Sequence, residues 1–512
     1  MIKEIQVQLL PSEANDMANL KMAIQQYLSI KRSARLEYEI LKKSIDARGK
    51  LIKIIFKVRV YIDEPNHRTT PTVFHAQQVS KEAEVHIIGA GPAGLFCALQ
   101  CLELGMKPVV FERGKKVRDR RRDLAILNKE GILNEESNYC FGEGGAGTYS
   151  DGKLYTRSNK RGNVQRILDL FHHFGADANI LYESHPHIGT NKLPQIIEAM
   201  REKIIECGGE IHFNSTLTDV TLSGNKVASL TINNSMKVAV KHVVLATGHS
   251  AHDIYELLHA RNILIESKPF ALGVRIEHPQ SLIDQVQYHC DLRDANLPPA
   301  SYSLVEQVNG RGVFSFCMCP GGIIAPASTR ANTVVVNGWS PSKRNNPYAN
   351  SGMVVSVDEK DYHDESPLAG LHYQYQVEQQ SYNAGGGMYV APAQRMVDFS
   401  QNNTSSSLPS CSYTRGVQSA NLSEVLPSAI YECLAKAFEQ FGKKMKGYYT
   451  NEAIVVATES RTSSPVRIPR DKESLQHRQI ANIYPCAEGA GYAGGIVSAA
   501  MDGMRIAEIL SV

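Results

Sequence analysis

The chain has 512 residues, and at ~150 residues per domain that is material for three or four domains with sizeable cores. Lys and Arg total 55 against 52 Asp and Glu, a net charge of +3, which excludes a dedicated nucleic-acid binder with its strong basic excess. Hydrophobic residues at 43% and charged residues at 21% exclude a disordered chain.

The chain opens Met-Ile-Lys-Glu-Ile-Gln, polar where a secretory signal needs an apolar stretch, and no apolar run reaches the ~18 residues of a membrane span. Its ten cysteines are irregularly spaced. Cys97 and Cys101 stand four apart in a helical pattern, and no CxxC or His cluster accompanies them, so no metal site is expected. These features point to a cytoplasmic protein with free thiols and no membrane contact.

Residues 1–80 form a first unit. Ile5, Val7 and Leu9 alternate as in a strand, and Ser12 is a candidate cap for a helix carrying Met17, Leu20, Ile24 and Leu28. Ile54, Phe56, Val58, Val60 and Ile62 alternate again. This predicts a small α+β module, for which a ferredoxin-like arrangement is one solution, followed by a linker over 63–80. It holds no catalytic constellation, so packing is favoured over a docking or lid role.

From residue 84 the pattern becomes strand, turn, helix, strand. Val85–Ile88 is an apolar strand, Gly89-Ala90-Gly91-Pro92-Ala93-Gly94 follows, Leu95–Leu104 continues as a helix, and Pro108–Phe111 is a strand ending at Glu112. This is a dinucleotide-binding fingerprint in its structural context. Gly89 permits the tight turn, Gly91 lets backbone approach a pyrophosphate with Pro92 and Ala93 opening the helix, and Gly94 allows close packing. Glu112 can accept from a ribose diol. Gly142–Gly147 and Gly489–Gly494 repeat the glycine spacing, but neither starts a second dinucleotide domain. Further on, Leu193–Cys207 is helical in pattern, and Glu210–Phe213, Val227–Ile232 and Val238–Ala246 are strand-like, the last leading into Thr247 and Gly248. Between about 265 and 440 the pattern is mixed: strands at 271–276, 313–319 and 333–337, helices at Leu371–Tyr382 and Leu422–Phe441.

The ordered set of GxGxxG with Glu112, Ala246-Thr247-Gly248 and Ala487-Glu488-Gly489 before the last helix resembles the glutathione-reductase-like flavoprotein superfamily. The stretches 141–154, Cys317-Met318-Cys319-Pro320-Gly321-Gly322, 458–467 and 484–496 look like those of a bacterial group of FAD-dependent, so-called NAD-utilising dehydrogenases. The resemblance covers nearly the whole chain. It implies FAD, with Glu488 at the ribitol, where Asp is usual, Gly489 beside it as a further cofactor-binding candidate, and Gly494, Gly495 and Ile496 opening the helix that would face the isoalloxazine. It implies little about a substrate.

Several residues have two readings. Gly145 and Gly147, with Ser150 and Gly152, can wrap the cofactor or form a surface loop. Lys153 can stabilise negative charge on a reduced flavin or stand solvated. Within the basic run 113–122, Arg113 and Arg120 are candidates for the pyrophosphate, against an RNA-binding strip. Cys317 and Cys319, two apart in a strand, would share a face, as a redox dithiol or as two ordinary buried cysteines. His187 is a candidate acid or base, with a structural histidine as the alternative. Arg467 can hold an anionic substrate or pair with Asp471.

Together these predict an α/β protein with a Rossmann-like, discontinuous FAD-binding domain (81–265 and 446–512), an inserted mixed α+β substrate domain (266–445) and the N-terminal α+β module. The expected activity is an FAD-dependent oxidoreductase moving hydride between flavin and a small-molecule substrate, with NAD(P)H as a transient donor. Alternatives are a flavoprotein acting on RNA and a non-catalytic flavin-bound scaffold.

Overall fold

Apolar runs too short for helices build one end of the molecule. In the computed structural model, which describes all residues except 31–34, 50, 66–73, 81–82, 157–161, 363 and 512, five strands form a parallel sheet. Their order is Ile483–Pro485, Val243–Leu245, Glu84–Ile88, Lys107–Phe111 and Glu210–His212. Lys107–Phe111 is buried along its whole length, as a parallel strand covered on both faces must be. Lys107 tolerates this because Glu84 and Glu210, on the flanking strands, accept from its ammonium at 3.2 and 2.6 Å.

Pro92 starts the helix Pro92–Glu103, where its missing N–H leaves no bond unmade. The last helix, Ile496–Leu510, lies directly on it: a Cβ at Gly503 would stand 2.1 Å from the carbonyl oxygen of Ala93. Segments four hundred residues apart therefore share one apolar core. The single strand expected over 238–246 is two. Met236–Ala239 closes an antiparallel meander with Leu217–Ser223 and Lys226–Ile232, and Val243–Leu245 enters the parallel sheet. The exposed Lys241 marks the change of sheet.

A seven-stranded sheet forms the second layer, in the order Val305–Val308, Arg311–Cys319, Tyr348–Val357, Phe270–Pro279, Ile454–Glu459, Ala391–Arg395 and Val417–Ser419. Only the last pair is parallel. The expected boundary at 446 needs correction. Ile454–Glu459, buried throughout, pairs with Phe270–Pro279, so the chain returns to the parallel sheet only after residue 459. The helix Ala369–Ala384 matches expectation, whereas the next starts at Ser428 rather than Leu422, because Pro427 stands at its cap. Ser428–Lys444 buries Ile430, Leu434, Phe438 and Phe441, one stripe of a helix.

The N-terminal unit is a three-stranded antiparallel sheet, Ile2–Leu9, Lys53–Ile62 and Leu36–Asp46 in spatial order, with one helix, Met17–Tyr27. Asp16, not Ser12, caps that helix, its carboxylate accepting from the Ala18 N–H at 2.8 Å. Strand Leu36–Asp46 escaped the sequence pattern because Glu37, Glu39, Lys42 and Lys43 break its apolar run. The described residues give βαββ, without the second helix and fourth strand of a ferredoxin-like fold. Its core, with Leu20, Phe56 and Val58, is continuous with that of the seven-stranded sheet. Of the expected linker 63–80, residues 66–73 lie outside those described. The part after them is strapped down: Gln77 and Val79 N–H donate to Leu102 and Cys207 carbonyls, and Phe74 is buried.

Candidate functional site

The carboxyl ends of the parallel strands open onto one pocket, where ligands of open α/β sheets are bound. The fingerprint turn supplies Gly89, Gly91, Pro92 and Ala93 to its wall, the second glycine loop supplies Gly145, Gly147, Ser150, Gly152 and Lys153, and Gly248, Glu488, Gly495 and Ile496 close it. The two glycine loops touch: a Cβ on Gly145 would stand 3.0 Å from the Cα of Gly91. Gly94, Gly489 and Gly494 do not line the pocket. Gly94 lets the helix approach the turn, since its Cβ would meet the Gly89 oxygen at 1.9 Å. Gly489 packs against Gly248 in the same way, and Gly494 sits beside Glu488.

Glu112 stands at the pocket wall with both oxygens engaged. Oε2 accepts from Ala90 N–H at 2.8 Å, and Oε1 from Gly114 and Gly142 N–H, each at 2.9 Å. It thus joins the fingerprint to the second glycine loop. His249 Nδ1 lies 3.4 Å from Glu488.

The two arginines are placed differently, and only Arg113 lines the pocket. Arg120 is fully buried, with its guanidinium donating to the carbonyls of Asn138 (2.8 Å), Glu143 (2.8 Å) and Tyr139 (3.0 Å) and to Thr148 Oγ1 (3.3 Å). It is the hub of the loop 138–148 and does not reach the pocket. Arg113 is at the rim, but Glu136 and Asp253 hold its guanidinium over the Phe141 ring. Lys115 and Arg122 pair with Asp123 and Asp119, so this run is largely satisfied within the fold. Arg467 lies over the Tyr492 ring, and Asp471 instead accepts from backbone N–H of Glu473 and Ser474.

At the other end of the pocket, Lys153, Cys317 and Cys319 come together. Lys153 Nζ is 3.8 Å from Cys317 Sγ and 3.9 Å from Cys319 Sγ, and it donates to the Met318 carbonyl. Strict alternation does not produce this. The strand bulges between Phe316 and Cys319, with Cys317 at φ +46°, and the bulge re-aims Cys317. Cys317 lines the pocket; Cys319 is fully buried behind it. A hydrogen bond from Cys319, then the Lys153 and Arg275 charges, hold the Cys317 thiol well below its ordinary pKa against the opposing effect of burial. Donating that bond, together with burial, pushes Cys319 well above its own. Burial works against the Lys153 ammonium, but Cys317, Cys319 and Asp151 keep its pKa above the usual value.

His187 misses the pocket. Its Nε2 meets the Ser342 carbonyl at 3.1 Å, and burial lowers its pKa, leaving a neutral structural ring. Sequence reasoning missed Asp151, Arg275 and Arg344. Arg275 Nη2 donates to Cys317 O at 2.7 Å while Nη1 pairs with Glu459 at 2.8 Å, and Arg344 Nε holds Asp151 at 3.0 Å. No spacing signal links them, because each comes from a different strand or loop. Thr247 was visible as part of Ala-Thr-Gly. Its Oγ1 is buried in the pocket wall without a hydrogen-bond partner among the described residues, as a group awaiting a ligand would be.

Residues 269–462 match the family model described as FAD-dependent protein, C-terminal domain-like, and residues 1–61 match a domain of unknown function. A Clostridium beijerinckii protein described as uncharacterized is 40% identical over 515 residues, covering 96% of both chains. The thiamine thiazole synthase of Aeropyrum pernix is 24% identical over 184 residues, covering 33% of this chain and 56% of that one. Among solved structures, CtdE in complex with FAD is 10% identical with a TM-score of 0.30, over 83% of this chain and 82% of that one. The glycine oxidase of Bacillus cereus is 13% identical with a TM-score of 0.31, over 84% and 95%. Among the described residues, no helix is long and apolar enough to cross a membrane.

Proposed function

The chain belongs to the same family as the Clostridium beijerinckii protein, and on that premise we propose that it is an oxidoreductase passing hydride between flavin and a small-molecule substrate. FAD is the cofactor. The residues present fit it: a helix N-terminus opening on the pocket at Gly91–Ala93 suits a pyrophosphate, Glu112 suits a ribose, and the orphaned Thr247 hydroxyl offers a further hydrogen bond. When bound, FAD supplies a two-electron acceptor.

The chain's own contribution is binding, orientation and charge. Gly145, Gly147 and Ile496 close the pocket against the fingerprint helix. Glu488, at the pocket wall, would hold ribitol hydroxyls. Lys153, fixed between Asp151, Met318 and the two thiols, keeps a positive charge on the pocket face where negative charge would develop. The described residues contain one five-stranded parallel sheet, so NAD(P)H as a donor would enter this same pocket.

The observation that carries this reading is the meeting of three glycine-bearing segments, 89–94, 142–152 and 488–496, on one pocket that ends at Lys153 and Cys317. The purified protein should show flavin absorbance, and anaerobic stopped-flow mixing with NADH, NADPH or a screened metabolite should bleach it. A spectrum without flavin bands, even after FAD is added, overturns the proposal. Bound flavin that no donor reduces would favour a scaffold instead.

A further inference from the structure

We propose that Cys317 and Cys319 are a redox dithiol that exchanges with an external small-molecule disulfide, Cys317 attacking first and Cys319 resolving. Access divides the two roles: Cys317 lines the pocket, whereas Cys319 is fully buried and does not. Both sulfurs lie within 3.9 Å of the Lys153 nitrogen, and Cys319 Sγ is 3.7 Å from the Arg275 guanidinium.

The charges around the pair favour one thiolate. Lys153, Arg275 and Arg344 face the carboxylates of Asp151 and Glu459, leaving a cation in excess that a single thiolate balances. Burial pushes Glu459 up to about 7 even beside Arg275, which deepens the excess, and His187 stays neutral. Two inert thiols would need no such surroundings. The left-handed backbone at Cys317, unfavourable for a residue with a Cβ, aims that side chain into the pocket.

The chemistry balances without the flavin. The Cys317 thiolate attacks a disulfide RSSR, forming a Cys317–SR bond and releasing RS⁻. Cys319 then attacks Cys317 Sγ, forming the Cys317–Cys319 disulfide and expelling a second RS⁻, which takes the Cys319 proton. The protein dithiol is oxidised by two electrons and RSSR is reduced to two thiols. The inference depends on the flavin-pocket reading only in that Cys317 lines that pocket.

The test reads sulfur rather than flavin. Trypsin cleavage after Arg311 and Arg330 gives a peptide, 312–330, whose only cysteines are Cys317 and Cys319. Flavin-loaded, pre-reduced full-length protein is treated with oxidised glutathione, free thiols are alkylated, and this peptide is weighed. Wild type should yield the peptide two hydrogens lighter than its reduced form, with two glutathiones released. Cys319→Ser should stop at a glutathione adduct on Cys317, and Cys317→Ser should leave Cys319 unmodified. Lys153→Met should slow adduct formation about tenfold, and Lys153→Arg should restore much of it. A doubly alkylated wild-type peptide after oxidant, or an adduct appearing first on Cys319, overturns the proposal. The wild-type result decides this even if a variant fails to fold. A bridged peptide in protein that no hydride donor reduces would support the dithiol while removing the proposed hydride transfer.

Discussion

Glu112 shows how much one side chain can carry. Its carboxylate accepts three backbone N–H bonds, two of them from different glycine segments (Ala90 and Gly142) and one from Gly114, and it also stands at the pocket wall. Glutamine at this position keeps the shape but turns an NH2 group toward backbone donors. Hydrogen bonds to charged groups are worth about 1.5–3 kcal/mol each, and an unsatisfied buried donor costs a similar amount. Glu112→Gln should therefore lower stability by about 2 kcal/mol and weaken flavin binding at least tenfold. Urea unfolding and titration of the apoprotein with FAD measure the two effects, and unchanged values would refute the dual role. Glu112 was legible from its spacing to the fingerprint. Arg120, in the neighbouring basic run, was misjudged, because charge predicts exposure and nothing in sequence shows that four acceptors will surround it.

That arginine matters most at the scale of the loop it organises. Residues 138–148 contain little regular structure, only a 3-10 turn at Gly145–Gly147, yet they form a wall of the pocket. They are held from within by Arg120, which bonds three of the loop's carbonyls, and from outside by Glu112 at Gly142 and by Arg201 bonding Glu143 at 2.8 Å. Arg120→Met leaves those buried carbonyls unsatisfied and should destabilise the protein by about 3 kcal/mol. Amide hydrogen exchange should rise in 138–148 well before it rises in the parallel strands. Equal protection of 138–148 in wild type and variant would show that the glycine loop holds itself.

Stability against pH belongs to the whole molecule. Burial pushes Glu277 up to about 7, although Ser412 N–H donates to it at 2.7 Å. The folded form then holds the proton more tightly than an unfolded glutamate near 4.5. The stability this contributes is complete below about pH 4.5 and is lost as pH rises through about 7. With a folded value near 7, the change is about 3 kcal/mol. Glu459 acts in the same direction. Glu277→Gln should therefore flatten the fall in urea midpoint between about pH 5 and pH 8. If the variant keeps the wild-type slope, Glu277 is ionised in the folded protein.

Features that depend on neighbours along the chain were legible in the residue order alone: the fingerprint turn, its helix and Glu112, the long helices, and the glycine segments as cofactor candidates. Those features follow from turn geometry, helical period and spacing, which are local. Where Ile454–Glu459 pairs, the sharing of the seven-stranded sheet's core by the N-terminal unit, and the inward turn of Arg120 came instead from the assembled fold. It also brought Lys153 to the thiols and set Arg275, Asp151 and Arg344 around them. Burial and charge neighbourhood arise from residues hundreds of positions apart, so they exist only once the sheets have assembled.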